Sequence, residues 1–206
     1  MAKLCCILLA CGQGKRFGEN KLLQRLGNRT LVEIAIDTIP KQYFDRIILV
    51  TKYAEVAKIA ISKGVITVLS NDEEIKGISV TIKKGMEYVD GTDGCMFGVC
   101  DQPLRTSNSI INMIDVFNKN EGSIVALSYN GKRGNPVIFH KNFYEELRNL
   151  TGDNSGGFVV KNHKDRLILC EAQSRLELLD VDTKEDLEEI KKAITSDYLK
   201  NNSLYY

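Results

Sequence analysis

The feature that most constrains this chain is a short apolar run that leads directly into a glycine-rich, basic segment. Residues Leu4 to Ala10 have the length and composition of a buried strand, and Cys-Gly-Gln-Gly-Lys-Arg-Phe-Gly-Glu-Asn-Lys follows, from Cys11 to Lys21. Glycines let backbone N–H groups approach phosphate oxygens closely, and cations compensate the charge of a polyanion that leaves water. The pattern predicts a triphosphate-binding loop at the end of a strand. A glycine-rich turn with solvated charges is the alternative.

The spacing of the glycines separates this segment from two other phosphate-binding loops. A Walker A loop closes on Gly-Lys-Ser or Gly-Lys-Thr, and neither sequence occurs in the chain, which excludes a P-loop. The dinucleotide fingerprint Gly-x-Gly-x-x-Gly fails by one residue, because Phe17 holds the third glycine position and Gly18 follows it. The next strand ends at Thr51 and Lys52 without the acidic residue that binds a ribose, which disfavours hydride transfer.

The length and charge of the chain limit its class and its partners. The 206 residues correspond most simply to one domain, which we place at residues 1–195, with a polar C-terminal tail at 196–206. A net charge of +1 predicts neither nucleic acid nor an anionic membrane as a partner. The apolar run at the start is too short to span a bilayer and lacks the features of a signal peptide, so we expect a cytoplasmic protein.

The cysteines point to reduced thiols within a core. Their spacing matches neither a zinc ribbon nor a thioredoxin-type pair, and most of them lie in apolar runs of strand length. The six residues are Cys5, Cys6, Cys11, Cys95, Cys100 and Cys170.

Strands and helices alternate along the first half of the chain. Residues 4–10, 46–50, 65–69 and 95–99 are apolar runs of strand length, and residues 31–39, 53–62 and 79–89 have helical periodicity. This order predicts a parallel sheet with helices on both faces and a ligand crevice at the carboxyl ends of its strands. In the second half we expect helices at 107–118, 142–150 and 184–194, and strands at 123–128, 136–139, 166–171 and 176–181, within a mixed sheet.

Two acidic residues are candidate metal ligands. Asp101 ends an apolar strand and precedes Pro103, which places its carboxylate on the same rim as the glycine-rich segment, where Mg²⁺ and phosphate would meet. A simple turn before proline is the alternative. Asp182 lies just before a helix that Thr183 and Asp186 are suited to cap, so capping does not explain Asp182.

A third segment, Asn71 through Gly85, is a candidate for recognition of the nucleobase. Ser and Thr hydroxyls at the start of a helix can contact the edge of a base. Capping of that helix by Ser79 explains the same residue equally simply.

Several motifs together resemble those of one enzyme family. The segment from Leu9 to Gly18, followed by Lys21, resembles the signature Leu-Ala-Ala-Gly-x-Gly-x-Arg-x-Gly-x-x-Lys of the MobA-like nucleotidyltransferases. Within that family, Asp-Gln-Pro at 101–103, Arg-Gly-Asn-Pro-Val at 133–137 and Asp-Val-Asp-Thr at 180–183 most resemble the molybdenum cofactor cytidylyltransferases.

The resemblance implies a fold, a reaction and a set of site residues. The fold is an α/β, Rossmann-like three-layer sandwich with a mostly parallel central sheet and a smaller mixed lobe on the acceptor side. The reaction is the Mg²⁺-dependent transfer of CMP from CTP to the phosphate of molybdopterin, with release of pyrophosphate, and a molybdenum hydroxylase apoenzyme is a further implied partner. The implied catalytic residues are Arg16, Lys21 and Asp101, and the implied metal ligands are Asp101 and Asp182. The implied nucleotide-binding residues are Leu9, Ala10, Gly12, Gln13, Gly14, Arg16, Lys21, Asn71 and Ser79.

The chain departs from the family pattern at two places. Cys11 replaces the second alanine of the first motif, which exchanges one small residue for another. The Gly-Asp-x-Gly-x-Arg segment of the family corresponds to residues 152–158, which contain no arginine. Because that segment would face the acceptor, the second departure concerns the acceptor and not the nucleotide. The alternatives are a guanylyltransferase for the same cofactor, a sugar-phosphate nucleotidyltransferase, and a non-catalytic carrier or insertion factor.

Overall fold

A seven-stranded sheet forms the centre of the protein. The computed structural model describes residues 1–12, 14, 16–70 and 77–202, with side chains up to residue 194. The strands of the whole protein, including two outside this sheet, are β1 (Leu4–Ala10), β2 (Arg25–Leu26), β3 (Arg29–Thr30), β4 (Arg46–Thr51), β5 (Ile66–Leu69), β6 (Gly94–Val99), β7 (Ile124–Tyr129), β8 (Lys132–His140) and β9 (Leu167–Glu171). The sheet has the order β5-β4-β1-β6-β8-β7-β9, and β2 and β3 form a separate hairpin.

Helices cover both faces of this sheet. They are α1 (Leu31–Asp37), α2 (Ala54–Ser62), α3 (Ile78–Met86), α4 (Ser107–Lys119), α5 (Tyr144–Arg148), α6 (Gly156–Asn162) and α7 (Lys184–Asn202). Successive side chains of a strand point to opposite faces. Cys6 and Leu8 of β1 therefore pack with α1, α2 and α4, whereas Cys5 and Ile7 pack with α3, α5 and α6. The structure confirms the three-layer α/β fold.

The strand directions explain where a ligand can bind. β1 is parallel to β4 and β6 on its two sides, with Ala10 opposite Thr51 and Leu9 opposite Val99. The carboxyl ends of the three strands therefore meet at one edge. β8 alone in the sheet runs antiparallel to its neighbours, β6 and β7, and β9 is again parallel to β7. This confirms the mostly parallel sheet and its mixed second half.

Two parts of the second half differ from the sequence prediction. The predicted strand at 176–181 is wrong: residues Arg175–Leu178 form a short 3-10 turn. The cause is local capping, because the Ser174 hydroxyl accepts a hydrogen bond from the Leu176 N–H, and the buried Glu177 carboxylate accepts one from the Gln173 N–H. Helix α6 was not predicted, because two glycines open it; it forms because Val159 and Val160 enter the core.

The last helix is longer than the predicted 184–194, since α7 runs from Lys184 to Asn202. The proposed boundary between the domain and its polar tail therefore lies within this helix.

Gly85 provides a test of the packing between α3 and β1. In most helix interiors, alanine in place of glycine stabilises a protein by up to about 1 kcal/mol. Here an added Cβ at Gly85 would lie 2.5 Å from Cγ2 of Ile7, a fully buried residue of β1. We therefore expect Gly85→Ala to lower the free energy of unfolding by about 1–3 kcal/mol, as overpacked cores do.

Urea denaturation measures this effect. Lys58→Ala, at an exposed position of α2, is the control and should change stability by less than about 0.5 kcal/mol. A more stable Gly85→Ala variant would show that α3 and β1 pack less tightly than described.

Candidate functional site

A cavity of about 590 Å³ opens at the carboxyl ends of β1 and β6. The glycine-rich segment, the start of α3 and the loop after β6 form its walls, as expected for the ligand crevice of a parallel sheet. The lining residues that the sequence analysis singled out are Leu9, Ala10, Gly12, Gly14, Arg16, Lys21, Asp101 and Asp182. Gln13 and Asn71 lie outside the described residues.

The glycine-rich segment is a turn anchored by an aromatic side chain. Gly14 has a φ of +55°, and its carbonyl accepts hydrogen bonds from the N–H groups of Phe17 and Gly18, at 2.8 and 3.2 Å. Phe17 is buried against α7 and Leu31. The residue that breaks the dinucleotide fingerprint is therefore the one that fixes the loop to the core.

Lys21 lies between the two predicted metal ligands. Its ammonium donates hydrogen bonds to Oδ2 of Asp101 at 2.7 Å and to Oδ1 of Asp182 at 2.9 Å, and only 8% of the residue is exposed. A 3-10 turn that starts at Lys21, capped by the side chain of Asn20, directs it into the cavity. Burial by itself lowers the pKa of Lys21, but the two carboxylates outweigh burial, so the net shift of the pKa is upward. Lys21 thus stays charged.

Asp182 also forms an ion pair with a second basic side chain, that of Arg16. Its Oδ2 accepts a hydrogen bond from Nη2 of Arg16 at 2.7 Å. The hydrogen bond from Lys21 is the main cause that lowers the pKa of Asp182. The predicted capping of α7 is present, because the Asp186 N–H donates to the Thr183 hydroxyl and the Thr183 N–H donates to the Asp186 carboxylate. Asp182 is therefore free of the capping role and faces the site.

The loop that carries Asp101 is joined to the segment that carries Asp182 by a backbone hydrogen bond and by a side-chain hydrogen bond to Asp180. The Val181 N–H donates to the Asp101 carbonyl at 2.8 Å, and Nε2 of Gln102 donates to Oδ1 of Asp180 at 3.0 Å. Burial, followed by the nearby Asp101, raises the pKa of Asp180. Asp101 therefore sits in a loop that is held from two sides.

Asp101 retains one oxygen for a ligand. Within the described part of the chain, Oδ1 of Asp101 is buried and has no hydrogen-bond partner. Asp101 and Asp182 together offer carboxylate oxygens beside the glycine-rich loop, which suits a hard divalent cation that keeps several waters. A cluster of three or more metal-ligating side chains does not occur in the described ranges.

The start of α3 differs from the prediction for Ser79. Gly77, and not Ser79, is the N-cap of this helix. The Ser79 hydroxyl donates to the Gly152 carbonyl at 2.7 Å and is buried away from the cavity. Thr81 lines the cavity instead, and its buried Oγ1 has no hydrogen-bond partner among the described residues. The Ser and Thr pattern of residues 77–81 contained this signal without identifying which hydroxyl is available.

A smaller cavity of about 220 Å³ adjoins the first and shares Leu9, Ile78 and Val99 with it. Its apolar lining comes from β1, α3, β6 and β8 and consists of Leu9, Ile78, Ile82, Phe97, Val99, Val137 and Phe139. Its polar lining includes Arg133, Asn135 and the α6 start at Ser155, Gly156 and Gly157.

The cysteines have the predicted state. All six are free and buried. Burial raises the pKa of Cys100 to about 12 and also raises the pKa of Cys11, the two cysteines that line the larger cavity. Thiols of this kind are poor nucleophiles at neutral pH.

A glycine-rich loop, two cations and two carboxylates at the carboxyl edge of the sheet form an arrangement suited to nucleotidyl transfer, and the class follows from the family match. The family model of the MobA-like NTP transferase domain matches residues 6–167. Since this match covers more than half of the chain, the chain belongs to that family and is a nucleotidyltransferase.

Individual relatives are distant in sequence. The purine catabolism protein PucB of Bacillus subtilis (strain 168) is 22% identical over 200 residues, which cover 92% of this chain and 96% of PucB. The nucleotidyl transferase Mth528 of Methanothermobacter thermautotroptrophicus is 20% identical, with a TM-score of 0.79 over 95% of this chain and 99% of Mth528. Rv0371c of Mycobacterium tuberculosis H37Rv, solved in complex with manganese, is 22% identical, with a TM-score of 0.73 over 92% of this chain and 98% of that one. These structures share the fold of the chain.

None of the helices in the described ranges combines the length and the apolar character that a bilayer-spanning segment needs.

Proposed function

We propose that this nucleotidyltransferase transfers CMP from CTP to the terminal phosphate of the molybdopterin form of the molybdenum cofactor and releases pyrophosphate. The observation that carries the transfer reaction is the position of the Lys21 ammonium, between Asp101 and Asp182, at the cavity that the glycine-rich loop borders. The choice of CTP and of the cofactor rests on the motifs at 101–103, 133–137 and 180–183, which resemble those of the cofactor cytidylyltransferases.

The residues supply what in-line attack of one phosphate on another requires. Such a reaction depends on positioning and charge neutralisation more than on a protein acid or base. Gly12 and Gly14 both border the cavity, and Gly12 leaves space for close approach, since an added Cβ there would have no other heavy atom within 4 Å. Arg16 and Lys21 supply positive charge for the α-phosphate and for the departing pyrophosphate.

Asp101 and Asp182 would hold a divalent metal ion, and we propose Mg²⁺. The fit rests on the unpartnered Oδ1 of Asp101 and on the hard oxygen donors of both residues. The manganese complex of Rv0371c agrees with a divalent metal in this fold. Bound there, the ion supplies Lewis-acid stabilisation of phosphate charge. The protein contributes the orientation of the two carboxylates, through the Asp101–Val181 backbone hydrogen bond and the cap of α7.

The smaller cavity is our proposed site for the acceptor. It adjoins the triphosphate cavity, so an acceptor phosphate can reach the α-phosphate from this side. Arg133 lines this cavity, and among the described residues its guanidinium has no hydrogen bond or ion pair, which leaves it as an available cation. Its guanidinium suits an anionic group, and the apolar wall suits a planar ring.

Pyrophosphate release tests this function. With molybdopterin cofactor and Mg²⁺, we expect pyrophosphate from CTP and at least about 10-fold less from GTP, ATP or UTP, because a base-specific hydrogen-bonding site rejects the wrong partner strongly. Mass spectrometry of the cofactor should show the added CMP. Release from GTP would indicate a guanylyltransferase, and release only with sugar phosphates would overturn the choice of acceptor.

A further inference from the structure

The loop between α5 and α6, together with the first residues of α6, forms part of both cavities. Asp153 lines the larger cavity, whereas Ser155, Gly156 and Gly157 line the smaller one. The position of this loop therefore sets the shape of the space on both sides. What holds the loop in place is thus important for both substrates of the proposed reaction.

Ser79 of α3 makes the hydrogen bonds that attach this loop to the rest of the protein. Its hydroxyl donates to the Gly152 carbonyl at 2.7 Å, and its N–H donates to the same oxygen at 3.3 Å. Ser155 also caps α6 through the N–H groups of Gly157 and Phe158, but among the described residues the two bonds from Ser79 are the hydrogen bonds that join residues 151–155 to α3. Ser79 is only 2% exposed, so water does not replace its hydroxyl easily.

The contact is close as well as hydrogen-bonded. Gly77, one turn before Thr81, has a φ of +91°, and a Cβ there would overlap the Gly152 carbonyl. The same Cβ would lie 2.9 Å from Oδ1 of Asp153. Only glycine at position 77 allows the loop to rest on the start of α3.

Helix α3 also contacts the nucleotide side. Ile78 and Thr81, on either side of Ser79 in sequence, line the larger cavity, and Ile78 lines the smaller one as well. A nucleotide that orders the start of α3 therefore also orders Ser79, which donates the hydrogen bond to the Gly152 carbonyl. A bond between two elements, one at each cavity, couples their positions.

We infer that Ser79 is a positioning residue, which acts through the Gly152 carbonyl to hold residues 152–157, the loop and the start of α6, as the shared wall of the nucleotide and acceptor cavities. This inference rests on the proposed function for the identity of the acceptor. It assigns Ser79 to the alignment of the acceptor and not to recognition of the base. Nucleotide binding consequently orders the wall against which the acceptor binds.

Hydrogen exchange tests the inference without an acceptor. In Ser79→Ala, the amides of residues 152–157 should exchange about 10-fold faster than in the unsubstituted protein, because the Gly152 carbonyl loses its hydroxyl donor. CTP with Mg²⁺ should slow their exchange in the unsubstituted protein and in Ser79→Thr, which keeps the hydroxyl, but not in Ser79→Ala. Ser123→Ala, which removes a buried hydroxyl with no hydrogen-bond partner in the described chain, is the matched control and should behave as the unsubstituted protein does.

Kinetics supplies the second measurement. Ser79→Ala should raise the KM for the acceptor about 10-fold, with the dissociation constant of CTP changed less than about twofold, and Ser79→Thr should restore the KM. Unchanged loop exchange in Ser79→Ala, or equal changes for CTP and acceptor, would overturn the inference. Failure of the proposed function looks different, because the unsubstituted protein would then form no product while the exchange experiment still reports on Ser79.

Discussion

Replacing Lys21 with alanine is expected to lower kcat for nucleotidyl transfer by about 100- to 1,000-fold, the usual effect of removing one preorganised charge from a transition state. The ammonium is held at 2.7 and 2.9 Å by two carboxylates and is largely screened from solvent. Its charge is therefore in position before the reaction and requires little reorganisation. Steady-state measurement of pyrophosphate release gives kcat, and calorimetry gives the dissociation constant of CTP.

Lys63→Ala is the matched control for this variant. Lys63 also pairs with a carboxylate, at 2.7 Å from Oδ1 of Asp37, but it lies beyond the end of α2, at the opposite edge of the sheet from the cavity. We expect its kcat to stay within about twofold of the unsubstituted protein. A Lys21→Ala enzyme with nearly full kcat and weaker CTP binding would assign Lys21 to binding alone.

Removing the Lys21 ammonium should also change metal binding in the protein without nucleotide. The cation lies between the same two carboxylates that would hold the metal ion. Two neighbouring carboxylates without a counter-charge attract a divalent cation more strongly. Titration with Mn²⁺, followed by electron paramagnetic resonance, should therefore show tighter binding to Lys21→Ala than to Lys63→Ala. Weaker binding would argue that Lys21 and the metal ion occupy separate places.

Replacing Asp101 with asparagine should reduce kcat by about 1,000-fold or more, since metal-assisted charge stabilisation contributes several kcal/mol. The substitution keeps the shape of the side chain and removes its charge. Both the attraction of the unpartnered Oδ1 for a metal ion and the ion pair of Oδ2 with Lys21 depend on that charge. We expect CTP in the absence of metal to bind within a few-fold of its normal affinity, and Mn²⁺ binding to be lost.

Asp37→Asn is the control, because Asp37 pairs with Lys63 remote from the site. The Asp101→Asn variant also separates an enzyme from a carrier. A protein that only binds and delivers the cofactor has no need of the Asp101 charge. Full delivery of cofactor to an apoenzyme by Asp101→Asn would therefore contradict a catalytic role.

The sequence was most informative where local chemistry and the fold agree. The strand–loop–helix order predicted β1, β4, β5 and β6, because continuous apolar runs of strand length are typical of a parallel sheet buried on both faces. Asp182 could be separated from the helix cap because capping follows a local rule of three residues, and the structure shows that cap at Thr183 and Asp186.

The sequence was misleading where contacts distant along the chain decide the local structure. Residues 176–181 have strand-like apolar content, yet Glu177 caps N–H groups of Gln173 and of Thr106, and a turn forms. α6 begins with two glycines and gains its stability from Val159 and Val160 in the core. Gln173 is a local partner of Glu177, but Thr106 and the core around Val159 and Val160 are distant along the chain and are not visible in the local sequence.

By itself, the sequence determined the class of this protein: an α/β fold with a basic, glycine-rich loop and an acid at the carboxyl edge of a parallel sheet, from which it predicts a triphosphate site. The tertiary structure decided how those groups are used. It placed Lys21 between carboxylates that lie 80 and 161 positions away along the chain. It also directed the Ser79 hydroxyl to Gly152 and left the buried Thr81 hydroxyl without a hydrogen-bond partner among the described residues. The physical reason is that residue type and spacing specify which groups reach an edge of the sheet, whereas hydrogen-bond pairing depends on which distant segments the fold brings within about 3 Å of each other.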